Sequence, residues 1–226
     1  MYKLFIANKN YSSWSLRPWL LMCHLEIPFN EQLVNFEEGG SWEKFHSFSP
    51  TGLVPCLVDN DTTVWDSLAI AEYLAESYSQ VWPIDKLARA WARSASAEMH
   101  SGFVVLREVC AMNCGLIIEL KEISEQLKKE LNRIDELWQE GLGRFGGPFL
   151  AGKTFTAVDA FYAPIAIRLK NYNLPTSHVA EGYVEGILNL PAMKRWISEA
   201  LQEPWRESAH EEEVNNSGLV VEDLRG

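Results

Sequence analysis

No stretch of this sequence holds the roughly 18 consecutive apolar residues that a membrane-spanning helix needs, so a membrane protein is not expected. Met1 leads into Tyr-Lys-Leu-Phe-Ile-Ala, without the basic start, apolar run and small-residue cleavage site of a secretory signal. The expected location is therefore cytoplasmic. Cysteine is sparse: Cys23, Cys56, Cys110 and Cys114 show neither a Cys-x-x-Cys spacing nor a paired ligand pattern, and none lies between residues 8 and 22. They read as reduced core thiols. His24, His46, His100, His178 and His210 form no spaced motif, so no metal is expected. Basic side chains are outnumbered by acidic ones, 20 to 31, for a formal net charge of −11. Such a sum repels phosphate backbones and anionic headgroups, which excludes nucleic acid and membrane surfaces as expected partners.

What is present is a globular composition: 226 residues, 47% hydrophobic and 23% charged, enough for one large domain or two modest ones. The charge is uneven. Residues 1–80 carry a net −6, residues 81–202 are neutral, and residues 203–226 carry −5.

The first zone alternates short elements. Leu4-Phe5-Ile6 reads as a strand, Ser13 to Leu25 as a helix, Gln32-Leu33-Val34 as a strand, Val54 to Val58 and Thr62 to Trp65 as strands joined by an Asn60-Asp61 hairpin turn, and Asp66-Ser67 as the start of a helix through Leu74. Strand, helix, strand implies a parallel pair, and the hairpin adds an antiparallel edge. Residues 85–202 are helical by period. The spacing predicts helices over Leu87 to Met112, Ile117 to Leu142, Ala157 to Leu169, and Ala192 to Leu201 behind Pro191. Thr156 and Asp159 form a capping box, so Asp159 reads as structural. Residues 203–226 lack periodicity and read as a loosely held acidic tail, with Glu211-Glu212-Glu213 as a solvated run outside any site.

Four motifs in this order and spacing resemble the cytosolic glutathione transferases. They are Tyr11-Ser12-Ser13-Trp14-Ser15-Leu16-Arg17, Ser49-Pro50-Thr51-Gly52-Leu53-Val54-Pro55-Cys56-Leu57, Asp66-Ser67-Leu68-Ala69-Ile70, and Phe149-Leu150-Ala151-Gly152 through Thr156 to Asp159. The Ser-Ser-x-Ser-x-Arg run is similar to that of the zeta class, whose members isomerise maleylacetoacetate, although Trp14 stands where that class has Cys and Pro18-Trp19 replaces its Val-Arg. The resemblance implies an α/β plus all-α protein. A thioredoxin-like glutathione-binding domain would span residues 1–80, and an all-helical domain over residues 85–202 would hold the second-substrate pocket. It also implies a homodimer, glutathione as co-substrate, and a cis bond before Pro55.

The chemistry this demands can be placed on residues. A free thiol ionises near pH 8.5, and lowering that by about two units takes roughly 2.7 kcal/mol of preference for the anion. A hydroxyl at Ser12, or second at Ser13, together with the amides and positive dipole end of the following helix, is of that size. The same serines also suit a plain helix cap, and Tyr11 is a competitor for the thiol. The backbone at Val54, exposed by Pro55, suits the cysteinyl part of glutathione. Asp66 can pair with the γ-glutamyl ammonium, and Ser67 with the carboxylate beside it. Lys44, Arg17 and His46 are alternatives for the glycine carboxylate. Trp14 and one helix face carrying Met99, His100, Phe103, Val104 and Arg107 are expected at the second substrate, with Tyr162 and Arg168 as weaker candidates. Three activities remain open: a glutathione S-transferase acting on a small electrophile, a glutathione-dependent isomerase, and a non-catalytic binding protein of the same fold.

Overall fold

A computed structural model describes residues 1–225 of the chain. Strand β1 (Tyr2–Ile6) leads through helix α1 (Ser13–His24) to β2 (Phe29–Leu33), which lies parallel to β1 with Tyr2 opposite Phe29 and Ile6 opposite Leu33. After the short helix α2 (Trp42–His46), β3 (Cys56–Asp59) returns antiparallel to β1 and turns into β4 (Thr62–Trp65). The sheet order is β2-β1-β3-β4, and α3 (Ser67–Ala75) packs against α1. This is a thioredoxin-like domain. Its strands sit slightly away from the expected positions: β2 begins at Phe29 rather than Gln32, and β3 at Cys56 rather than Val54, because Pro55 has no N–H for the ladder.

The second half contains α4 (Lys86–Ser101), α5 (Val104–Val109), β5 (Leu116–Leu120), α6 (Glu125–Phe145), α7 (Ala157–Asn171), α8 (His178–Leu188), α9 (Pro191–Gln202), α10 (Ser208–Ser217) and β6 (Gly218–Asp223). Helix α7 is apolar around most of its circumference and buried along nearly its whole length, where it packs on α1, α4 and α8. Its start is held by the capping box. Fully buried Asp159 accepts from the Thr156 backbone N–H at 2.9 Å, and from the Leu150 N–H at 2.9 Å and the Tyr183 hydroxyl at 3.1 Å.

Three expectations are corrected here. The single helix over Leu87 to Met112 is two, because Gly102 ends α4 and Phe103 adopts a left-handed backbone (φ +52°) before α5. The helix expected from Ile117 begins only at Glu125, where the Ser124 hydroxyl caps it. The preceding β-branched segment is β5, which gains a partner that lies a hundred residues away: antiparallel β6, with Leu120 opposite Gly218. The tail is therefore not loose. It forms α10 and β6 and returns to the first domain.

That return is fastened by carboxylates. Glu203 accepts from the backbone N–H groups of Lys9 (2.6 Å) and Asn10 (3.2 Å). Glu211 accepts from the Tyr11 hydroxyl (2.6 Å) and the Asn113 amide (3.2 Å), and pairs with the well-buried Arg225 guanidinium. Removing Glu211 strips the Tyr11 hydroxyl and the Asn113 amide of their shared acceptor and takes one of two carboxylates from Arg225, which keeps Asp223 at 2.9 Å. Glu211→Ala is expected to free residues 208–223 locally, raising their amide exchange at least about tenfold while the exchange of α7 stays unchanged.

Candidate active site

The loop after β1 brings its backbone round so that the Tyr11 and Ser12 N–H groups both donate to the Asn8 carbonyl, at 3.2 and 2.9 Å. Ser12 then caps α1. Its hydroxyl accepts from the Ser15 N–H at 3.4 Å and donates to the Ser15 hydroxyl at 2.7 Å, which also accepts from the Ala7 N–H at 3.2 Å. Ser13, one residue on, accepts from the Arg168 guanidinium at 3.4 Å. Both serines are buried yet line a cavity of about 270 Å³ beside Trp14, Val54, Arg107 and Arg168.

A second cavity of about 450 Å³ adjoins it, and Trp14, Leu53 and Val54 line both. The second is bounded by Pro55, Asp66, Ser67 and His100. The Val54–Pro55 bond is cis. Asp66 holds an unusual positive φ of +74° as the cap of α3, accepting from the Leu68 N–H at 2.8 Å. Its other oxygen lies 3.2 Å from His100 Nε2. Burial holds the His100 imidazole below its usual range, and Arg17 and Arg107 push the same way against Asp66. At neutral pH the imidazole that faces Asp66 is accordingly neutral. The Ser67 hydroxyl is buried and has no partner among the described residues, an uncommon condition that a ligand oxygen would relieve.

Ser12, Ser13, Trp14, Val54 and Arg107 share the first cavity, and Pro55, Asp66, Ser67 and His100 share the second. His100 thus sits with Asp66 rather than beside Arg107. Phe103 lines neither cavity: it is buried at the break between α4 and α5, where its backbone no longer continues the α4 face. Tyr162 is also buried, donating to the Ala95 carbonyl at 3.1 Å. Of the three cations weighed for a glycine carboxylate, Lys44 is engaged by Glu37 (2.8 Å) and Asn35, His46 stacks on Trp42, and Arg17 lies wholly buried beneath Trp14. None lines either cavity. The Tyr11 ring lines the first cavity, but its hydroxyl is committed to Glu211, and burial with that carboxylate pushes its pKa up to about 12.

Several lining residues escaped the sequence reading. Phe36 and Phe45 come from the first domain, Ala111 and Met112 from the segment after α5, and His210 and Glu213 from α10. His210 stacks between Tyr11 (4.9 Å) and Phe36 (4.6 Å), and its Nδ1 lies 2.6 Å from Glu207. The Glu207/His210 spacing of three was the one available signal. No cysteine lines either cavity, and burial pushes the thiols of Cys110 and Cys114 up to about 12.

Comparison with known proteins agrees with this architecture. The profile of the glutathione S-transferase N-terminal domain matches residues 11–77, and that of the C-terminal domain matches residues 121–199. Glutathione S-transferase GstB of Escherichia coli K12 is 26% identical over 215 residues, covering 87% of this chain and 92% of the relative. Dichloromethane dehalogenase of Methylorubrum extorquens is 23% identical, covering 88% and 72%. Among solved structures, glutathione S-transferase unclassified 2 from Bombyx mori superposes with a TM-score of 0.71 at 21% identity, covering 96% of this chain and 99% of the other. A glutathione transferase homolog from Burkholderia with bound glutathione gives 0.66 at 21%, covering 88% and 97%. The chain belongs to the glutathione S-transferase family.

Proposed function

We propose that the protein is a glutathione S-transferase that binds the tripeptide across the two adjoining cavities and activates its thiol at Ser12. The observation that carries this reading is the juxtaposition at Val54. On one side lies the amino end of α1 with Ser12 and Ser13, and on the other Asp66 and the orphaned Ser67 hydroxyl. Glutathione fits these donors. Asp66 takes the γ-glutamyl ammonium, and Ser67 with the first amides of α3 takes its carboxylate. The Val54 main chain pairs with the cysteinyl backbone in miniature strand addition.

The thiol then lies at the start of α1. Turning the Ser12 hydroxyl from Ser15 toward sulfur makes it a donor, and the Ser15 hydroxyl can donate in turn to Ser12. The resulting chain, Ala7 N–H to Ser15 to Ser12 to sulfur, polarises each member. The thiol proton leaves to solvent. The thiolate attacks the electrophilic carbon as that carbon's leaving group departs with its electron pair, or adds across an activated double bond with later protonation. Proximity and thiolate activation supply the rate. A homodimer in the cytoplasm completes the proposal.

Two measurements test it. Retention on immobilised glutathione, followed by mass detection of conjugates from a panel of aryl halides, epoxides and enones, should give both binding and conjugates. Binding with a rearranged, glutathione-free product would favour the isomerase, which the Ser-Ser-x-Ser-x-Arg run supports. Binding without turnover would favour the non-catalytic role, and no retention would contradict all three. Ser67→Ala offers a two-sided check: removing an unsatisfied buried hydroxyl should leave the free protein as stable or more stable, while Kd for glutathione rises about tenfold, as loss of a hydrogen bond to a charged group predicts.

A further inference from the structure

Three guanidinium groups from three different helices gather around Trp14 and Ser13. Arg17 Cζ lies 3.9 Å from the Trp14 ring centroid and 5.1 Å from that of Phe161. Arg107 Cζ lies 5.2 Å from the same Trp14 ring, and Arg168 reaches the Ser13 hydroxyl. None of the three forms an ion pair among the described residues; of the other seven arginines, Arg93, Arg133, Arg144, Arg195 and Arg225 meet carboxylates, and Arg89 and Arg206 bond backbone carbonyls through their terminal nitrogens. The contrast is sharpest at Arg17, which is 1% exposed with Nε and Nη1 unpartnered. Aromatic stacking offsets part of the burial penalty of one such cation, but two over one ring and a third on the neighbouring Ser13 repel each other and call for an anion.

The acidic groups nearby do not supply it. Asp66 is engaged by Leu68 and His100, and Glu213 lines the cavity from α10 without bridging to either arginine. A glutathione thiolate would supply one negative charge against three positive ones. Arg168 has its donors committed to the carbonyls of Cys110 and Pro164 and to Ser13. Arg107 does not: among the described residues its side chain makes one bond, from Nε to the Phe103 carbonyl at 3.4 Å, and it lines the cavity that holds Ser12.

We infer that the second substrate carries a carboxylate, which Arg107 grips through its two free terminal nitrogens while the buried charges of Arg17 and Arg168 strengthen the field there. The inference rests on the glutathione-conjugation reading for the identity of the first substrate. A planar fork facing a carboxylate gives two parallel charge-assisted bonds, which a neutral isostere cannot reproduce.

The test is calorimetric titration of 3-nitrobenzoate and 3-nitrobenzamide, alike in ring and size, into the protein saturated with S-methylglutathione and into the free protein. The benzoate is expected to bind at least about tenfold more tightly, the size of one charge-assisted pair. That preference should fall to about twofold or less in Arg107→Gln, reverse in Arg107→Glu, and survive in part in Arg107→Lys, with melting curves confirming that each variant folds. Equal binding of the two probes, no binding of the benzoate, or a preference intact in Arg107→Gln would overturn the inference. Failure of S-methylglutathione to bind would instead strike the conjugation reading, and the free-protein titration would still decide the carboxylate preference.

Discussion

Replacing Ser12 by alanine is expected to lower kcat about twenty-fivefold at pH 7, the fall in ionised thiol when its pKa returns from about 6.5 to 8.5, while raising Kd for glutathione no more than about fourfold. Two contributions hold the thiolate in this account: the α1 amino end, which survives the substitution, and the Ser12 hydroxyl, which does not. If the hydroxyl carries most of the roughly 2.7 kcal/mol that lowers the thiol by two units, its loss returns the thiol toward 8.5. The peptide contacts at Val54, Asp66 and Ser67 are untouched, so affinity changes little. The pH dependence separates this from a packing defect. The deficit should shrink as pH rises from about 6.5 and nearly vanish past about 8.5, where the thiol ionises without help from Ser12. Ser15→Ala should produce a smaller loss of the same form, because Ser15 supports Ser12 at 2.7 Å and cannot itself reach sulfur in this scheme. A loss for Ser12→Ala that is constant from pH 6 to 9 would instead mark a packing defect and leave thiol activation to Ser13, which lines the same cavity.

Asp159→Ala is expected to cost about 4 kcal/mol of stability, since it strands three buried donors, the N–H groups of Leu150 and Thr156 and the Tyr183 hydroxyl. For a chain of this size that is a fall in Tm of about 8 to 16 °C. Asp159→Asn should cost less, because one oxygen still accepts. The pair of variants also carries a pH signature. Burial pushes the Asp159 carboxyl up from 3.8 to about 6, against the three hydrogen bonds that favour its anion. A folded-state pKa above the unfolded one means that the folded protein holds its proton longer. Its stabilisation is complete below pH 3.8 and is lost as pH rises through 6, about 3 kcal/mol in all. Urea titrations at pH 4, 5, 6 and 7.5 should show that slope in the parent and not in Asp159→Asn.

The parts of the fold that sequence made legible were those governed by local chemistry. The element order of the first domain followed from alternation and an Asn-Asp turn, α7 from its capping box, and α9 from Pro191 at its first position. What escaped depended on distant partners or on backbone choices that residue type disfavours. Ile117-Ile118 sits in a stretch whose Glu/Lys spacing reads as helix, and only β6 makes it a strand. Phe103 in a left-handed conformation is a poor guess for a bulky residue, yet it sets Arg107 on its own short helix. Helix α8 carries Gly182 and Gly186, which weaken its helical signal. The tail escapes for a similar reason: its hold lies in the ladder between β6 and the distant β5 and in long-range bonds from Glu203 and Glu211 rather than in any apolar stripe.

The same limits apply to the site. The side proposed for glutathione lies in contiguous motifs, Ser12-Ser13, Val54-Pro55 and Asp66-Ser67. The side proposed for the second substrate is assembled from α5, α7 and α10, where neighbouring residues in space share no neighbourhood in sequence. The charge pattern now has a physical reading too. A domain at −6 and a tail at −5 surround a cavity whose own side chains include unpaired arginines. Recognition of an anion there depends on local cations rather than on the overall field.

Stabilisation of a bound thiolate by Ser12 is read directly by ultraviolet titration of the thiolate absorbance of glutathione bound to the parent protein and to Ser12→Ala. Ionisation is expected near pH 6.5 in the parent and within about half a unit of 8.5 in the variant. Ionisation near 8.5 in the parent, or the same low value in both, would contradict it.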